Sequence, residues 1–88
     1  MPMFENVFDI DGEFCRVLKE KHLKLALIDP RDGTYVEGIH FFSEFVDKIP
    51  HRAKIVFELS VNAYKGNRNP QLMIRHIHPI ETPTLSLA

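Results

Sequence analysis

The chain has 88 residues, of which 44% are hydrophobic and 26% are charged. This is the composition of one small globular domain and leaves no room in this chain for an enzyme with a cleft between two lobes. The net charge of −1 predicts no general attraction to polyanions, and a single cysteine excludes an internal disulfide and a cysteine-rich metal cluster.

The sequence also predicts a cytoplasmic protein without a membrane partner. The longest apolar run, Leu25 to Ile28, is far shorter than the ~20 residues of a bilayer span. Residues 1–14 carry four acids and no base, whereas a signal peptide begins with a basic region.

Short runs with β-type patterning dominate the chain. Five strands are predicted, over about Phe8–Leu18, His22–Ile28, Thr34–Phe42, Ala53–Val61 and Gln71–His78. Gly12 predicts a bulge or tight bend in the first strand, and Gly38 predicts a sharp bend in the third. The turn residues of Asp29–Gly33 predict that the second and third strands form a hairpin.

The segments between the later strands carry weaker signals. Ser43–Pro50 has apolar residues at helical spacing and predicts a short helical or irregular link between the third and fourth strands. Asn62–Pro70 is rich in asparagine and predicts a loop or the tip of a hairpin. In the last strand Leu72 and Ile74 point one way while Met73 and Ile77 point the other, which predicts a strand covered on both faces.

These elements predict an all-β fold, a five-stranded OB-type Greek-key barrel, with an SH3-like barrel as the structural alternative. We expect the domain to span residues 1–80 and residues 81–88 to form a flexible tail.

No group of residues predicts catalysis. His76 and His78 share one face of a strand, but no other ligand stands at metal-site spacing, so we predict surface histidines and no metal site. Cys15 lies among apolar residues, which indicates core packing rather than an activated thiolate. We therefore predict no catalytic residue in this chain.

Asn62–Arg68 is the most informative segment for function. It combines an aromatic ring, two cations and amide side chains around a glycine, the groups that bind single-stranded nucleic acid by stacking and by phosphate contacts. The same residues also suit a well-formed turn with Tyr64 packed on the barrel. The residue types alone leave both interpretations open.

Three blocks in order resemble one known family, the C-terminal OB domain of RecJ, a bacterial exonuclease specific for single-stranded DNA. The blocks are Lys21–Leu25, Glu37–Phe41 and Phe57–Leu72, and the resemblance runs from about Pro2 to Ile80. Two positions depart from the family pattern: Tyr64 replaces a tryptophan or phenylalanine, and His40 replaces a small residue.

The resemblance implies a non-catalytic module of a 5′–3′ exonuclease that acts in DNA recombination and repair. Its implied partners are single-stranded DNA and the catalytic domains of the parent enzyme. The manganese or magnesium of the full-length enzyme would be held by those catalytic domains, and no cofactor is expected in this chain.

The candidate nucleic-acid-binding residues are Lys21, His22, Lys24, Tyr64, Lys65, Asn67, Arg68 and Arg75. An alternative function is a structural docking domain, whose apolar face would pack on the catalytic core or on another protein. That face would comprise Phe41, Phe42, Phe45 and Met73.

Overall fold

The computed structural model describes residues 2–64 and 67–80, and for 61–64 and 67–69 only the backbone is considered. Six strands are present there instead of the five predicted. They are β1 (Phe4–Ile10), β2 (Arg16–Leu18), β3 (His22–Ile28), β4 (Tyr35–His40), β5 (Arg52–Tyr64) and β6 (Asn67–Pro79). The all-β prediction is confirmed, since the only helical element in these ranges is a single 3-10 turn at Gly12–Phe14.

Strand pairing forms a closed ring. The sheet order is β1-β5-β6-β4-β3-β2, and β1 also pairs with β3 through Asp9↔Ile28 and Ile10↔Leu27. Five strands thus close on one another, while β2 extends outward as a hairpin on β3. The β4–β6 pair is parallel and the other pairs are antiparallel. This is the arrangement expected for the OB-type Greek key.

The first predicted strand is divided by the turn at Gly12. Asp11 caps this turn by accepting a hydrogen bond on its side chain from the Glu13 backbone N–H at 3.2 Å. The first half begins at Phe4 rather than Phe8. The sequence pattern missed this start because Asn6, a polar residue, occupies the position between Phe4 and Phe8 on the inward face.

The core lies inside the ring. Leu23, Leu25 and Leu27 are essentially inaccessible to solvent, which confirms the alternation predicted for β3. Burying one such side chain contributes about 1.5–3 kcal/mol. Strands β1, β5 and β6 supply the remainder of the cluster, namely Phe8, Ile10, Ala53, Ile55, Phe57, Leu72, Ile74 and Ile77.

A β-bulge explains the mixed pattern of the last strand. Phe57 pairs with Ile74 and Val56 pairs with His76, so Arg75 is an extra residue on β6. The extra residue reverses the alternation. Ile77 therefore points into the core with Ile74, and the prediction that it faces the other side was wrong.

The predictions for Gly38 and Phe45 are corrected by the packing. Gly38 makes no sharp bend but continues β4 through the core, and the turn between β3 and β4 relies instead on Gly33, with φ of +75°. Between β4 and β5 the link is irregular, which is one of the two forms predicted for it. Its Phe45 packs against the core, so Phe45 does not belong to an exposed docking face.

The segment Asn62–Pro70 belongs to the far end of the β5–β6 hairpin, in line with the second of its two predicted forms. The two strands pair as far as Tyr64 and Asn67. Residues 65–66 and the predicted tail at 81–88 lie outside the described residues. No helix in the described ranges has the length and apolar character needed to cross a membrane.

Candidate functional site

The outer face of β3 and β4 carries the first candidate residues. Because Leu23 points into the core, its neighbours His22 and Lys24 point outward. Gly38 faces the core in the same way, which directs Tyr35 and Glu37 outward along β4.

Lys24 is paired on this face with a carboxylate. Its Nζ lies 3.3 Å from Glu37 Oε2, and both side chains are partly exposed. The Lys24 side chain points outward, but its charge is paired with the Glu37 carboxylate. A phosphate would have to compete with that carboxylate.

Arg75 occupies the bulge of β6 and is also paired. Its guanidinium donates to Glu58 Oε2 on β5 at 3.1 Å. Arg75 is exposed, whereas the Glu58 side chain is largely covered. The pair fixes Arg75 across the β5–β6 ladder.

Lys21 and His22 lie in a cluster with two phenylalanines at the end of β4. The His22 ring meets Phe41 and Phe42 edge-on, with centroid distances of 5.0 and 4.8 Å. Lys21 Nζ lies 5.4 Å from the centroid of the Phe42 ring, within cation–π range. Phe41 is 47% exposed and Phe42 is 74% exposed.

This cluster was missed at the level of sequence, where Phe41 and Phe42 were assigned to a docking face. The predicted hairpin of the second and third strands could have indicated that these residues lie together. Antiparallel pairing of the second and third strands brings the residues after His40 next to those before Leu23.

By their backbone positions, Tyr64, Asn67 and Arg68 belong to the opposite end of β4. In the parallel β4–β6 pair, Glu37 lies beside Gln71, so Asn67 lies beyond Tyr35 along the same direction. Tyr64 pairs with Asn67 there. The backbone thus separates the candidates into two groups, with Lys24 between them.

The side chains of Tyr64, Asn67 and Arg68, and the whole of Lys65, lie outside the described residues. The predicted outward projection of the Tyr64 ring and its neighbouring cations therefore remains a prediction.

His40 is held by hydrogen bonds at the end of β4. Its Nδ1 lies 2.8 Å from Ser43 Oγ, and the same oxygen accepts a hydrogen bond from the Phe45 backbone N–H. Burial lowers the pKa of His40, and the nearby His76 acts in the same direction, while Glu44 and a hydrogen bond with the Arg75 backbone oppose the shift. His40 joins β4 to the link that follows it.

The remaining candidates for chemistry form no site within residues 2–64 and 67–80. His76 and His78 share one face, with their rings stacked at 6.1 Å. No group of three or more histidines, cysteines or acids is placed there to hold a metal ion. Burial raises the pKa of the Cys15 thiol, the opposite of what an activated thiolate needs.

Comparison with known proteins gives one consistent match. The family model described as "RecJ OB domain" matches residues 2–76. The chain is 28% identical over 91% of its length to the single-stranded-DNA-specific exonuclease RecJ of Haemophilus influenzae, and 30% identical over 80% to that of Dickeya dadantii. It spans only 14% and 13% of those two proteins. No solved structure gives a significant match.

Proposed function

Since the chain belongs to the RecJ OB domain family, we propose that it is the single-stranded-DNA-binding module of a RecJ-like 5′–3′ exonuclease of DNA recombination and repair. The proposal is supported by the positions of Lys21, His22 and Lys24, and of the Tyr64 and Asn67 backbones, on the ring of strands. They flank the face of the second and third barrel strands, here β3 and β4, together with the adjoining loops. OB folds bind oligonucleotides on this face and these loops.

Each candidate residue has a proposed role. Tyr64 stacks on a base, Lys65 and Arg68 pair with phosphates, and Asn67 offers amide hydrogen bonds. Lys21 and His22 extend the site at the other end of β4. Lys24 and Arg75 contribute less to binding in this proposal because each already pairs with a carboxylate.

The two groups of candidates define a path for the strand. From the level of Asn67 to that of Phe41 is about eight residues, or roughly 25 Å at ~3.3 Å per residue. A strand that contacts both ends must therefore cross the β3–β4 face. This length suits the OB site sizes of about 4–16 nucleotides.

We further propose that the chain does not hydrolyse DNA by itself. The described residues offer no cluster suited to manganese or magnesium. We assign these metals, and the cleavage step, to other domains of the full-length enzyme, which we propose as the second partner of this module.

Titration of a fluorescent oligo-dT by anisotropy at low salt tests the proposal. With about three to five phosphate contacts, the log–log salt slope should lie near −2 to −3.5, at ~0.7 per phosphate. Tyr64→Ala should weaken binding about 5- to 150-fold, equivalent to ~1–3 kcal/mol for one stacked base. Lys65→Glu and Arg68→Glu should weaken it and reduce the slope.

Lys54→Glu is the charge-matched control. Lys54 lies on β5 with its Nζ 4.0 Å from Glu5 of β1, away from the β3–β4 face. Equal binding by wild type, Tyr64→Ala and the two loop charge variants would remove this site.

A docking function is the second candidate, and the exposure of Phe41 and Phe42 favours it. Exposed apolar surface of this kind often marks a protein contact. Sedimentation of the isolated chain discriminates between the two. Self-association that is lost on removal of these rings would favour docking, whereas a monomer that binds oligo-dT would favour the DNA-binding role.

A further inference from the structure

We propose that Phe42, supported by Phe41 and His22, is a platform on which a base of single-stranded nucleic acid stacks, with Lys21 placed to meet the strand's charge. This site is separate from the Tyr64 hairpin and uses only described residues. The inference rests on the proposed function and adds a second stacking point to it, at the opposite end of β4.

Phe42 has an unusual backbone conformation. Its φ of +51° lies in the left-handed region, which is unfavourable for a bulky side chain. Such conformations persist only where surrounding structure holds them, and they cluster at functional sites. Here the conformation holds a phenyl ring in solvent, with 74% of the residue exposed.

The surrounding structure holds this conformation through the β2–β3 turn. The backbone N–H of Phe42 donates to His22 Nδ1 at 3.1 Å. The next N–H, of Ser43, donates to the Lys21 carbonyl at 2.9 Å. The Ser43 side chain is buried, and its Oγ lies 2.8 Å from His40 Nδ1. Two hydrogen bonds and one buried anchor thus fix the direction of the ring.

The arrangement of the rings suits a planar ligand. The His22 ring lies nearly perpendicular to the rings of Phe41 and Phe42, at interplanar angles of 73° and 83°. His22 therefore contacts both rings without stacking parallel to either. An exposed aromatic ring binds any base through its π-face.

The charge around the platform selects a nucleic acid over a neutral apolar partner. The β2–β3 hairpin carries three exposed bases, Arg16, Lys19 and Lys21, against one acid, Glu20. Two further acids, Glu44 and Asp47, follow Ser43 in the sequence, and Glu37 on β4 is paired with Lys24. Lys21 Nζ lies over the Phe42 ring, so a base that stacks on that face would displace it, and its flexible side chain could then reach the neighbouring phosphate.

A test of the platform needs a variant that removes the Phe42 ring and keeps the fold. Phe42→Gly deletes the phenyl group and relieves the positive φ, because glycine adopts this region readily. The variant should melt at or above the wild-type temperature. Weaker binding by Phe42→Gly therefore reports the loss of the ring and not unfolding.

Two probes separate stacking from charge. Anisotropy is measured with oligo-dT and with an abasic strand of equal length, which has the phosphates but no bases. Phe42→Gly should weaken oligo-dT binding about 5- to 150-fold with an unchanged salt slope, and should leave abasic binding as in wild type. Lys21→Ala should weaken both probes and reduce the salt slope.

The outcomes distinguish this inference from the proposed function. Wild-type protein that fails to bind oligo-dT overturns both. Wild-type protein that binds, together with Phe42→Gly that binds equally well, overturns the platform alone. An equal loss on both probes also overturns stacking. Self-association of wild type that Phe42→Gly abolishes, with DNA binding intact, assigns the ring to a protein contact instead.

Discussion

Gly38 on β4 and Ile74 on β6 approach so closely that a Cβ at Gly38 would lie 2.7 Å from Ile74 Cδ1. It would also lie 3.2 Å from Leu27 Cδ1. The absence of a side chain at Gly38 thus makes room for two core residues, at the point where the parallel β4–β6 pair joins the ring.

Gly38→Ala should therefore destabilise the fold. Overpacking of a core costs about 1–3 kcal/mol, which outweighs the ~0.5–1 kcal/mol that alanine gains over glycine within a strand. The measurement is the free energy of unfolding in urea. Gly12→Ala is the matched control, because a Cβ there meets nothing within 4 Å. Gly12→Ala should be neutral or slightly stabilising, and an equal effect at both glycines would contradict this account.

Glu37→Gln should strengthen binding to oligo-dT. The change removes a negative charge from the proposed DNA face and releases Lys24, which lies 3.3 Å away. An exposed pair of this kind is worth about 0.2–1 kcal/mol, so affinity should rise up to about five-fold at low salt. Anisotropy titration measures the effect.

The control for Glu37→Gln is Glu5→Gln, which removes the same charge from another Lys–Glu pair, with Lys54 on the β1–β5 side. Equal gains from both variants would show a general charge effect and would not support the β3–β4 face.

Asp29→Asn should weaken the fold at neutral pH and flatten its acid dependence. Hydrogen bonds from the Arg31 side chain and backbone, and then from Asn6, hold the pKa of the Asp29 carboxyl well below its usual range. A lowered carboxyl pKa stabilises the folded state above the unfolded value of ~3.9, and that stability is lost as the pH falls toward the folded pKa. Urea unfolding between about pH 5 and pH 2 measures the slope.

Asp47→Asn, on the β4–β5 link, serves as the control for Asp29→Asn, because it removes one carboxyl from outside the Asp29 network. If the stability of Asp29→Asn falls with pH as steeply as that of wild type, the loss of stability in acid does not come from Asp29.

The β2–β3 turn offers a stabilising change. Lys19 and Glu20 both have positive φ, of 52° and 64°, and the Lys21 N–H donates to the Leu18 carbonyl across them. Asn-Gly is the preferred pair for such a turn. Lys19→Asn/Glu20→Gly should raise stability by about 1 kcal/mol, measured by thermal melting. Lys19→Ala/Glu20→Ala keeps both Cβ atoms and should give no gain, so equal gains would point to the lost charges.

Strands with one buried face were predictable from the sequence. In β3 the leucines fill the core while His22 and Lys24 on the other face stay partly exposed, and periodicity reports that difference, although Ala26 on the same face as Lys24 is buried. The turn at Gly33 was predictable for a similar reason, since glycine favours its positive φ.

Features that depend on partners distant in the chain were not predictable in this way. The bulge at Arg75 reverses the pattern of β6, and only pairing with β5 reveals it. The role of Gly38 depends on Ile74, 36 positions away. The aromatic cluster at Phe42 likewise forms only when the β3–β4 hairpin brings it to His22.

The position of β6 has a consequence for synthesis of the chain. β6 lies between β4 and β5, yet it is the last of the six strands to leave the ribosome. Until it arrives, β4 and β5 each present a row of unsatisfied amide and carbonyl groups, the kind of edge on which strands from other chains aggregate. A protein truncated before Asn67 would keep both edges permanently open, so the ring depends on β6 for protection as well as for closure.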